Sequence, residues 1–191
     1  VIDDDQQLRE LVGTCLKAKG FEVSQARDGE EGLLSLNRHL PDLLLCDVQM
    51  PRINGLDVLK AVKQKYPHLP VIMISGAGFI QDVVAALRLG AWDYLIKPFP
   101  SLAVVEHAVT QCLHRARLEQ ENRDYREKLE ETNRKLAASL AILREDQEAG
   151  RQVQSRLLPD GKDSFGDYLF SHVLLPSLYL SGDFLDCFSI D

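Results

Sequence analysis

The sequence predicts an α/β fold in which a small, doubly wound parallel sheet of five strands is covered by helices. Wholly apolar segments such as Leu43–Cys46 and Val71–Ile74 alternate with segments whose apolar residues recur at helical spacing. Strands that are apolar throughout are typical of parallel sheets, because crossover helices bury both faces. Five such strand–helix units follow one another within about 115 residues, and right-handed crossovers allow few other topologies.

Local signals set the limits of each element. Asp5 and Asp28 are typical helix N-cap residues, and Gly20 and Gly90 are typical of helix ends. The predicted strands are Val1–Ile2, Phe21–Ser24, Leu43–Cys46, Val71–Ile74 and Trp92–Ile96. The predicted helices are Gln6–Lys19, Asp28–Leu36, Leu56–Lys65, Ile80–Leu89 and one that begins near Leu102. Because Val1–Ile2 makes a poor strand, we expect the natural protein to extend further at its N-terminus.

Composition narrows the classes of function. The net charge of -7 and the pI near 5.3 argue against a nucleic-acid-binding protein, which needs a basic surface. No apolar run approaches the roughly 18 residues needed to span a bilayer, and no signal peptide is visible. The five histidines form no cluster, so a zinc site is not expected. Widely spaced cysteines suggest small buried side chains in a reducing, cytoplasmic setting; they are Cys15, Cys46, Cys112 and Cys187.

The composition changes from Ser101 onward. Residues 102–157 contain no proline and a single glycine, Gly150, and charged residues dominate. Three leucines recur every seven residues, at Leu129, Leu136 and Leu143, although polar residues occupy the second core position at Thr132, Ser139 and Asp146. We therefore expect a coiled-coil linker that forms a homodimer through the 118–157 helix. The alternative is a solvated single helix.

The predicted linker helix ends at Pro159–Gly161, and the segment that follows is strand-like. Thirty residues are too few to form a core of their own, so we expect the opening of another, incomplete domain. The resulting organisation is a first domain at 1–115, a helical linker at 116–157 and the start of a further domain at 158–191.

Polar side chains follow the strands of the first domain. Asp3 and Asp4 come after the first strand, and Asp47, Ser75 and Lys97 follow the third, fourth and fifth. Because ligands bind outside the carboxyl ends of parallel strands, we expect these groups at one edge of the sheet. Carboxylates that are forced together raise each other's pKa, and a hard divalent cation such as Mg²⁺ relieves the conflict. A carboxylate neutralised in this way can attack a phosphoryl group, whose oxygens the lysine would stabilise.

The motifs "VIDDDQQLRE", "DLLLCDVQMPRINGLD", "VIMISGAG" and "WDYLIKPF" together resemble the receiver domain of bacterial two-component response regulators, which has a flavodoxin-like fold. The resemblance implies that Asp47 is the phosphoacceptor. Asp4 would be a direct Mg²⁺ ligand, Asp3 would hold the metal through water, and the backbone carbonyl of Gln49 would be the third protein ligand. A sensor histidine kinase or a small phosphodonor would supply the phosphoryl group.

The same resemblance implies a switch. Ser75 matches the switch hydroxyl, Tyr94 the switch aromatic and Lys97 the lysine of the family, with a cis Lys97–Pro98 bond. A phosphoryl charge on Asp47 would attract the Ser75 hydroxyl, and the Tyr94 ring would enter the space that is vacated. Tyr94 as a plain core aromatic remains an alternative.

The end of the chain resembles a second family. "GRQVQSRLLP" and "PSLYLSGDFLDCFSID" resemble bacterial serine/threonine phosphatases of the protein phosphatase 2C type, with Ser181 and Leu185 as departures. The resemblance implies that Asp183 and Asp186 are Mn²⁺ or Mg²⁺ ligands. Later metal aspartates are absent, so this chain is not expected to have phosphatase activity. Alternatively, both aspartates are turn or surface residues.

The combination of domains, with "ALRLGAWDYLIKPF" and "LPDLLLCDVQMPRINGL", resembles RssB-type response regulators. That resemblance implies an adaptor that captures the stationary-phase sigma factor and delivers it to a protease. Asp183 favours a different output, an active phosphatase in an anti-sigma pathway. The sequence leaves both outputs open.

Overall fold

The computed structural model describes residues 1–76, 80–157, 162–165 and 168–171. The chain forms two compact units, Val1–Arg123 and Asp124–Asp191. The helices are α1 Gln6–Ala18, α2 Gly29–Arg38, α3 Gly55–Lys65, α4 Ile80–Arg88 and α5 Leu102–Leu157. The strands are β1 Leu44–Asp47, β2 Val71–Gly76, β3 Asp93–Lys97, β4 Lys162–Phe165 and β5 Tyr168–Ser171.

The first unit is built on a parallel sheet in the order β1-β2-β3. Ile2 extends this sheet through isolated parallel bridges to Cys46 on one side and Ala26 on the other. The Ile2 amide donates to the Leu45 carbonyl at 2.9 Å, and the Asp47 amide donates to the Ile2 carbonyl at 2.9 Å. Across the sheet, the order is therefore Ala26, Ile2, β1, β2 and β3. When these five segments are numbered along the chain, this is the flavodoxin-like order 2-1-3-4-5.

The sheet is less regular than the sequence predicts. Five strands were expected, and the described residues of the first unit form three, with the first two segments contributing single bridges. The predicted strand at Phe21–Ser24 is wrong, since Ala26 is the residue that pairs with Ile2. Phe21 and Val23 are partly buried against the core, so their alternation reflects packing without a hydrogen-bonded ladder.

Each face of the sheet has its own apolar core, as a doubly wound fold requires. On one face, Cys46 and Met73 pack with Leu36 of α2, Val58 and Leu59 of α3 and Ala86 of α4. On the other, Leu45 and Ile72 pack with Val12 of α1 and Val105 and Val109 of α5. The apolar strands serve both cores because alternate side chains point to opposite faces.

Helix limits follow the predicted signals closely. Asp5 caps α1 by accepting from the Leu8 amide at 3.1 Å, and Asp28 caps α2 by accepting from the Glu31 amide at 2.9 Å. Gly20, just beyond α1, has a φ of +89° that favours glycine. The Lys97–Pro98 bond is cis, as predicted.

The N-terminal part of α5 is fixed to the first unit by polar as well as apolar contacts. Lys19 of α1 forms an ion pair with Glu106 at 2.8 Å. Trp92, immediately before β3, has two cations near its ring: Lys63 Nζ of α3 is 5.9 Å from the indole centroid, and the Arg115 guanidinium of α5 is 4.7 Å from it. These contacts join α1, α3, β3 and α5.

The second unit contains the remainder of α5 and an antiparallel pair, β4–β5. Helix α5 continues to Leu157, as the absence of proline predicts. Among the side chains of α5 that the structure describes beyond residue 123, the large apolar ones are exposed; they are Tyr125, Leu129, Leu136, Leu140, Ile142, Leu143 and Val153. One strand pair does not establish the phosphatase-like fold predicted for 158–191, and the predicted break at Pro159–Gly161 lies outside the described residues.

Within the described ranges, none of the helices has the length and apolar character required to cross a membrane.

Candidate functional site

Three carboxylates meet at the carboxyl edge of the sheet. Asp3 follows the bridging residue Ile2, and Asp47 is the last residue of β1. One carboxylate oxygen from each of Asp3, Asp4 and Asp47 lies within 4.8 Å of the other two. Asp3 and Asp47 are only 1% and 3% exposed, whereas Asp4 is exposed. The parallel order therefore brings together acids that are more than forty residues apart in the sequence.

Lys97 supplies the positive charge of the site. It is the last residue of β3, and its Nζ lies 2.8 Å from Asp3 Oδ2 and 2.8 Å from Asp47 Oδ1. Burial acts to lower the pKa of Lys97, but the hydrogen bonds and charges of Asp3 and Asp47 outweigh it and raise that pKa. The ammonium group is therefore protonated at neutral pH and bridges both buried acids.

Opposing influences act on the pKa of Asp47. Burial is the largest influence and raises the pKa of its carboxyl group, and the charges of Asp3 and Asp4 act in the same direction. The hydrogen bond and charge of Lys97 oppose this rise without cancelling it. The negative charge of Asp47 is therefore incompletely neutralised by the protein.

The donor set fits a hard divalent cation. With all groups ionised, the three carboxylates and the Lys97 ammonium sum to a charge of -2, which one divalent ion balances. Oxygen donors, one of them on an exposed residue, suit Mg²⁺, which retains some of its waters. The role of the Gln49 backbone carbonyl as a further ligand remains a prediction. Gln49 lies two residues beyond Asp47, and its side chain is exposed.

Two residues that support the acidic cluster were not predicted from the sequence. Arg9 Nη1 donates to the Asp3 carbonyl at 2.7 Å and so fixes the backbone beside the acidic cluster. Gly55, the first residue of α3, packs against the Asp47 backbone so closely that a Cβ there would overlap the Asp47 carbonyl oxygen. A glycine in the first helical turn after the Asp47 loop was the available signal for this close approach.

The two predicted switch residues carry unpaired hydroxyl groups. Ser75 lies in β2 and is fully buried, and Tyr94 lies in the neighbouring strand β3. Within the described ranges, Ser75 Oγ and Tyr94 Oη are the buried side-chain polar atoms without a hydrogen-bond partner. Each such group costs about 1–3 kcal/mol in desolvation. Both hydroxyls are therefore left without a partner by the protein itself.

A second metal site was predicted at Asp183 and Asp186. Both residues lie outside the described ranges, so the structure does not place them relative to each other.

The first unit is similar to known proteins. The family model described as "Response regulator receiver domain" matches residues 1–109. The "Regulator of RpoS" of Escherichia coli (strain K12) is 34% identical over 131 residues, which cover 66% of this chain and 39% of that protein. The "Transcriptional regulatory protein CpxR" of the same strain is 42% identical over 124 residues, covering 64% of this chain and 53% of that protein.

A similar solved structure is the receiver domain of NtrX from Brucella abortus. It matches with a TM-score of 0.57 and 35% sequence identity, covering 59% of this chain and 95% of that one. The chain thus spans 39% and 53% of the two curated relatives named above and nearly all of an isolated receiver domain. Because the family model matches 109 of the 191 residues, the chain belongs to the response regulator receiver domain family, whose members are controlled by phosphorylation.

Proposed function

We propose that Asp47 is the phosphoacceptor of this receiver domain, with Asp3 and Asp4 as its Mg²⁺-binding acids and Lys97 as its charge-stabilising lysine. The observation that supports this assignment best is the Lys97 ammonium, which lies 2.8 Å from both Asp3 and Asp47 at the carboxyl edge of the sheet. A sensor histidine kinase or a small phosphodonor supplies the phosphoryl group.

The proposed reaction forms an acyl phosphate. An oxygen of the Asp47 carboxylate attacks phosphorus, a new O–P bond forms, and the bond between phosphorus and the donor's leaving group breaks. When bound, Mg²⁺ supplies positive charge to the oxygens of the transferred group. The Lys97 ammonium holds Asp47 in place and can follow the negative charge onto the phosphoryl oxygens. Asp3 keeps the ammonium anchored while this charge moves.

The proposed switch uses the two unpaired hydroxyls. A phosphoryl group on Asp47 offers strong acceptor oxygens, and the nearby strand β2 carries the unpaired Ser75 hydroxyl. Movement of Ser75 makes room for Tyr94, whose hydroxyl is also unpaired. Helix α5 begins at Leu102, shortly after Tyr94 and Lys97, so the change at β3 is passed to α5.

Phosphorylation by acetyl phosphate tests the acceptor. We expect intact-mass spectrometry to show the addition of one phosphoryl group to the native chain in the presence of Mg²⁺, and no addition in EDTA. Asp47→Asn removes the nucleophilic oxygen, so the added mass should disappear. Asp57→Asn is the matched control, because Asp57 is an exposed residue of α3. Phosphorylation of the Asp47→Asn protein at the native rate would assign the acceptor elsewhere.

Beryllofluoride tests the switch. We expect the complex of the native chain with beryllofluoride and Mg²⁺ to shift the backbone amide resonances of Tyr94 and of the first turn of α5. In Ser75→Ala, which lacks the hydroxyl, beryllofluoride should still bind while those shifts become much smaller. Amide resonances around Tyr94 that stay unmoved in the saturated native complex would refute the switch.

For the output, we propose an RssB-type adaptor that holds a sigma factor for regulated proteolysis. The support is the 34% identity to a protein named for its regulation of RpoS. The alternative is a protein serine/threonine phosphatase that acts in an anti-sigma pathway. It is favoured by the motif that contains Asp183 and Asp186, where Mn²⁺ or Mg²⁺ would bind.

Two assays on the natural full-length protein distinguish these outputs. An adaptor should bind the stationary-phase sigma factor with an affinity that differs between Asp47-phosphorylated and unphosphorylated protein, as measured by fluorescence anisotropy. A phosphatase should release phosphate from a phosphoserine protein with Mn²⁺, and Asp183→Ala should abolish the turnover. Turnover that persists in Asp183→Ala would eliminate the phosphatase, and sigma-factor binding that is absent in both phosphorylation states would eliminate the adaptor.

We also propose that α5 pairs with α5 of a second copy of the chain. The leucines at 129, 136 and 143 recur at the heptad spacing and are 47%, 56% and 55% exposed. Polar residues alternate with them at Thr132, Ser139 and Asp146, so the pairing is expected to be of moderate strength. Ion pairs within the helix, such as Lys135–Glu131 at 2.6 Å, support the helix itself.

Sedimentation equilibrium of matched variants tests the pairing. The native chain should be a dimer at micromolar concentration, and Leu136→Asp should shift it to the monomer, because a charge on the leucine stripe cannot be buried. Ala138 is also exposed, but it lies on the side of α5 away from Leu136, so Ala138→Asp should remain dimeric. A monomeric native chain, or equal loss of the dimer in both variants, would contradict the pairing.

A further inference from the structure

The stripe of exposed side chains on α5 contains two kinds of position. Leu129, Leu136 and Leu143 recur every seven residues at one of them, which we name a. The other, which we name d, lies four residues before each of these leucines and three residues after it. Its occupants are Leu118, Tyr125, Thr132, Ser139 and Asp146. The a and d positions together form the seam along which a second helix can pack.

The seam is separate from the face of α5 that packs on the first unit. That face is formed by the buried residues Val105, Ala108, Val109 and Cys112. At about 100° per residue, the seam lies roughly 120° away from it around the helix. Leu118 and Tyr125 are 52% and 69% exposed, so packing of α5 on the first unit leaves the seam open.

The direction of a second helix decides which residues face each other. In a parallel pair in register, each residue lies beside its own copy, so leucine packs on leucine at all three a positions. In an antiparallel pair, reversal of one helix exchanges the three- and four-residue spacings, and each a position faces a d position. Over residues 118–143, Leu143 would still face a leucine, Leu118, but Leu129 would face Thr132. The pattern of leucines therefore favours the parallel pair.

The polar d residues are compatible with a parallel pair. Thr132 Oγ1 donates to the Lys128 carbonyl of its own helix at 2.8 Å, so its hydroxyl needs no partner across the seam. Leu140 and Ile142 are exposed on either side of Ser139 and supply apolar surface there. Asp146 would face its own charge, and this repulsion sets the end of the paired segment at Leu143.

Asn122 distinguishes between registers of the parallel pair. It occupies the a position that precedes Leu129, and its side chain is exposed. In register, the two Asn122 amides face each other and can exchange hydrogen bonds. A shift by one heptad would place Asn122 against Leu129 of the second copy and bury its amide without a partner. A single asparagine at an a position specifies register in this way, at some cost in stability.

Charges beside the seam favour the same arrangement. In a parallel coiled coil, the residue before an a position lies near the residue five positions later in the other helix, so Glu121 meets Arg126. Glu121 already pairs with Arg117 of its own helix at 2.8 Å, and a carboxylate can accept from both cations. In an antiparallel pair over residues 118–143, the residues before the a positions meet each other, and Lys128 would meet Lys135.

We infer that the partner of the α5 seam is a second α5 that runs parallel and in register over residues 118–143, with Asn122 fixing the register and Glu121 meeting Arg126 across the pair. The inference rests on the proposed pairing of α5 and adds its direction and register. Both α5 helices then begin at the same end of the pair. Phosphorylation of Asp47 in either copy therefore acts on the same end of a shared linker.

Disulfide formation at a d position tests the direction. In Ser139→Cys, a parallel pair in register brings the two introduced thiols together, and oxidised glutathione should join them. We expect a peptide linked through position 139 of both copies to be the main new cross-link found by mass spectrometry. Ala138→Cys lies on the side of α5 away from Leu136 and should give little of the corresponding link. The native chain shows which links come from its own cysteines.

A mixture of variants tests the register. Ser139→Cys is mixed with Asp146→Cys, because a shift by one heptad would bring these two positions together. With Asn122 in both chains, the link between positions 139 and 146 should be negligible. Asn122→Leu removes the buried amide, so the dimer should tighten about tenfold in sedimentation equilibrium, and the link between 139 and 146 should appear.

A charge exchange tests the contact between Glu121 and Arg126. Arg126→Glu should weaken the dimer about three- to tenfold, because two acids would then face each other across the pair. Adding Glu121→Arg in the same chain should restore most of the affinity. Arg134→Glu is the matched control, because Arg134 is exposed and lies two residues before Leu136, away from the seam.

Several outcomes would overturn the inference while leaving the pairing intact. These are a dimeric Ser139→Cys chain without the link at 139, an equal yield from Ala138→Cys, an unchanged link pattern in Asn122→Leu, or a charge exchange that restores nothing. A native chain that is monomeric at micromolar concentration would instead refute the proposed pairing, and the inference with it.

Discussion

The sharing of one ammonium group between two buried carboxylates is the constraint around which the first unit is arranged. Asp3 and Asp47 belong to neighbouring parallel segments and are almost inaccessible to water. Burying two like charges together is costly unless a cation lies between them. Lys97 meets this requirement from β3, which lies two strands away from Asp47 in β1 and three away from the segment of Asp3. The strand order therefore matters chemically, since another order would separate the amine from one or both acids.

Lys97 neutralises the charge of the acidic cluster only in part, and the remaining negative charge can attract a cation. One lysine offsets part of the negative charge of three carboxylates, and burial leaves the pKa of Asp47 raised. In addition, the hydroxyls of Ser75 and Tyr94, on adjacent strands, lack hydrogen-bond partners. A divalent ion would balance the remaining negative charge, and a phosphoryl group would provide acceptor oxygens for hydroxyl groups. The protein's own groups thus leave this site less satisfied than the rest of the core.

Much of the fold could be predicted from the sequence because its signals are local. Apolar strands, N-caps at Asp5 and Asp28 and helix-ending glycines each act within a few residues, and the helices begin and end within a few residues of the predictions. Two strand limits moved by one residue toward the site. Asp47 and Lys97 pair in the ladder with Ile74 and Gly76, although a polar residue at a strand end looks like a loop residue in the sequence.

The remaining features depend on tertiary contacts. The alternation of Phe21 and Val23 indicates burial but does not specify a hydrogen-bonded neighbour, which is why a strand was wrongly predicted there. The ion pair between Arg52 and Asp28 joins positions that are 24 residues apart, and no local sequence pattern predicts it. No local sequence pattern predicts the hydrogen bond from Arg9 to the Asp3 carbonyl either. The pattern shows only that Arg9 lies in the first turns of α1.

The single tryptophan of the chain gives the molecule a built-in optical reporter. An amine of α3 and a guanidinium of α5 both lie near its indole, and the guanidinium is 4.7 Å from the ring centroid. Indole emission responds to charge and to water at this range. Fluorescence excited selectively at this ring should therefore follow the seating of the fifth helix without any label.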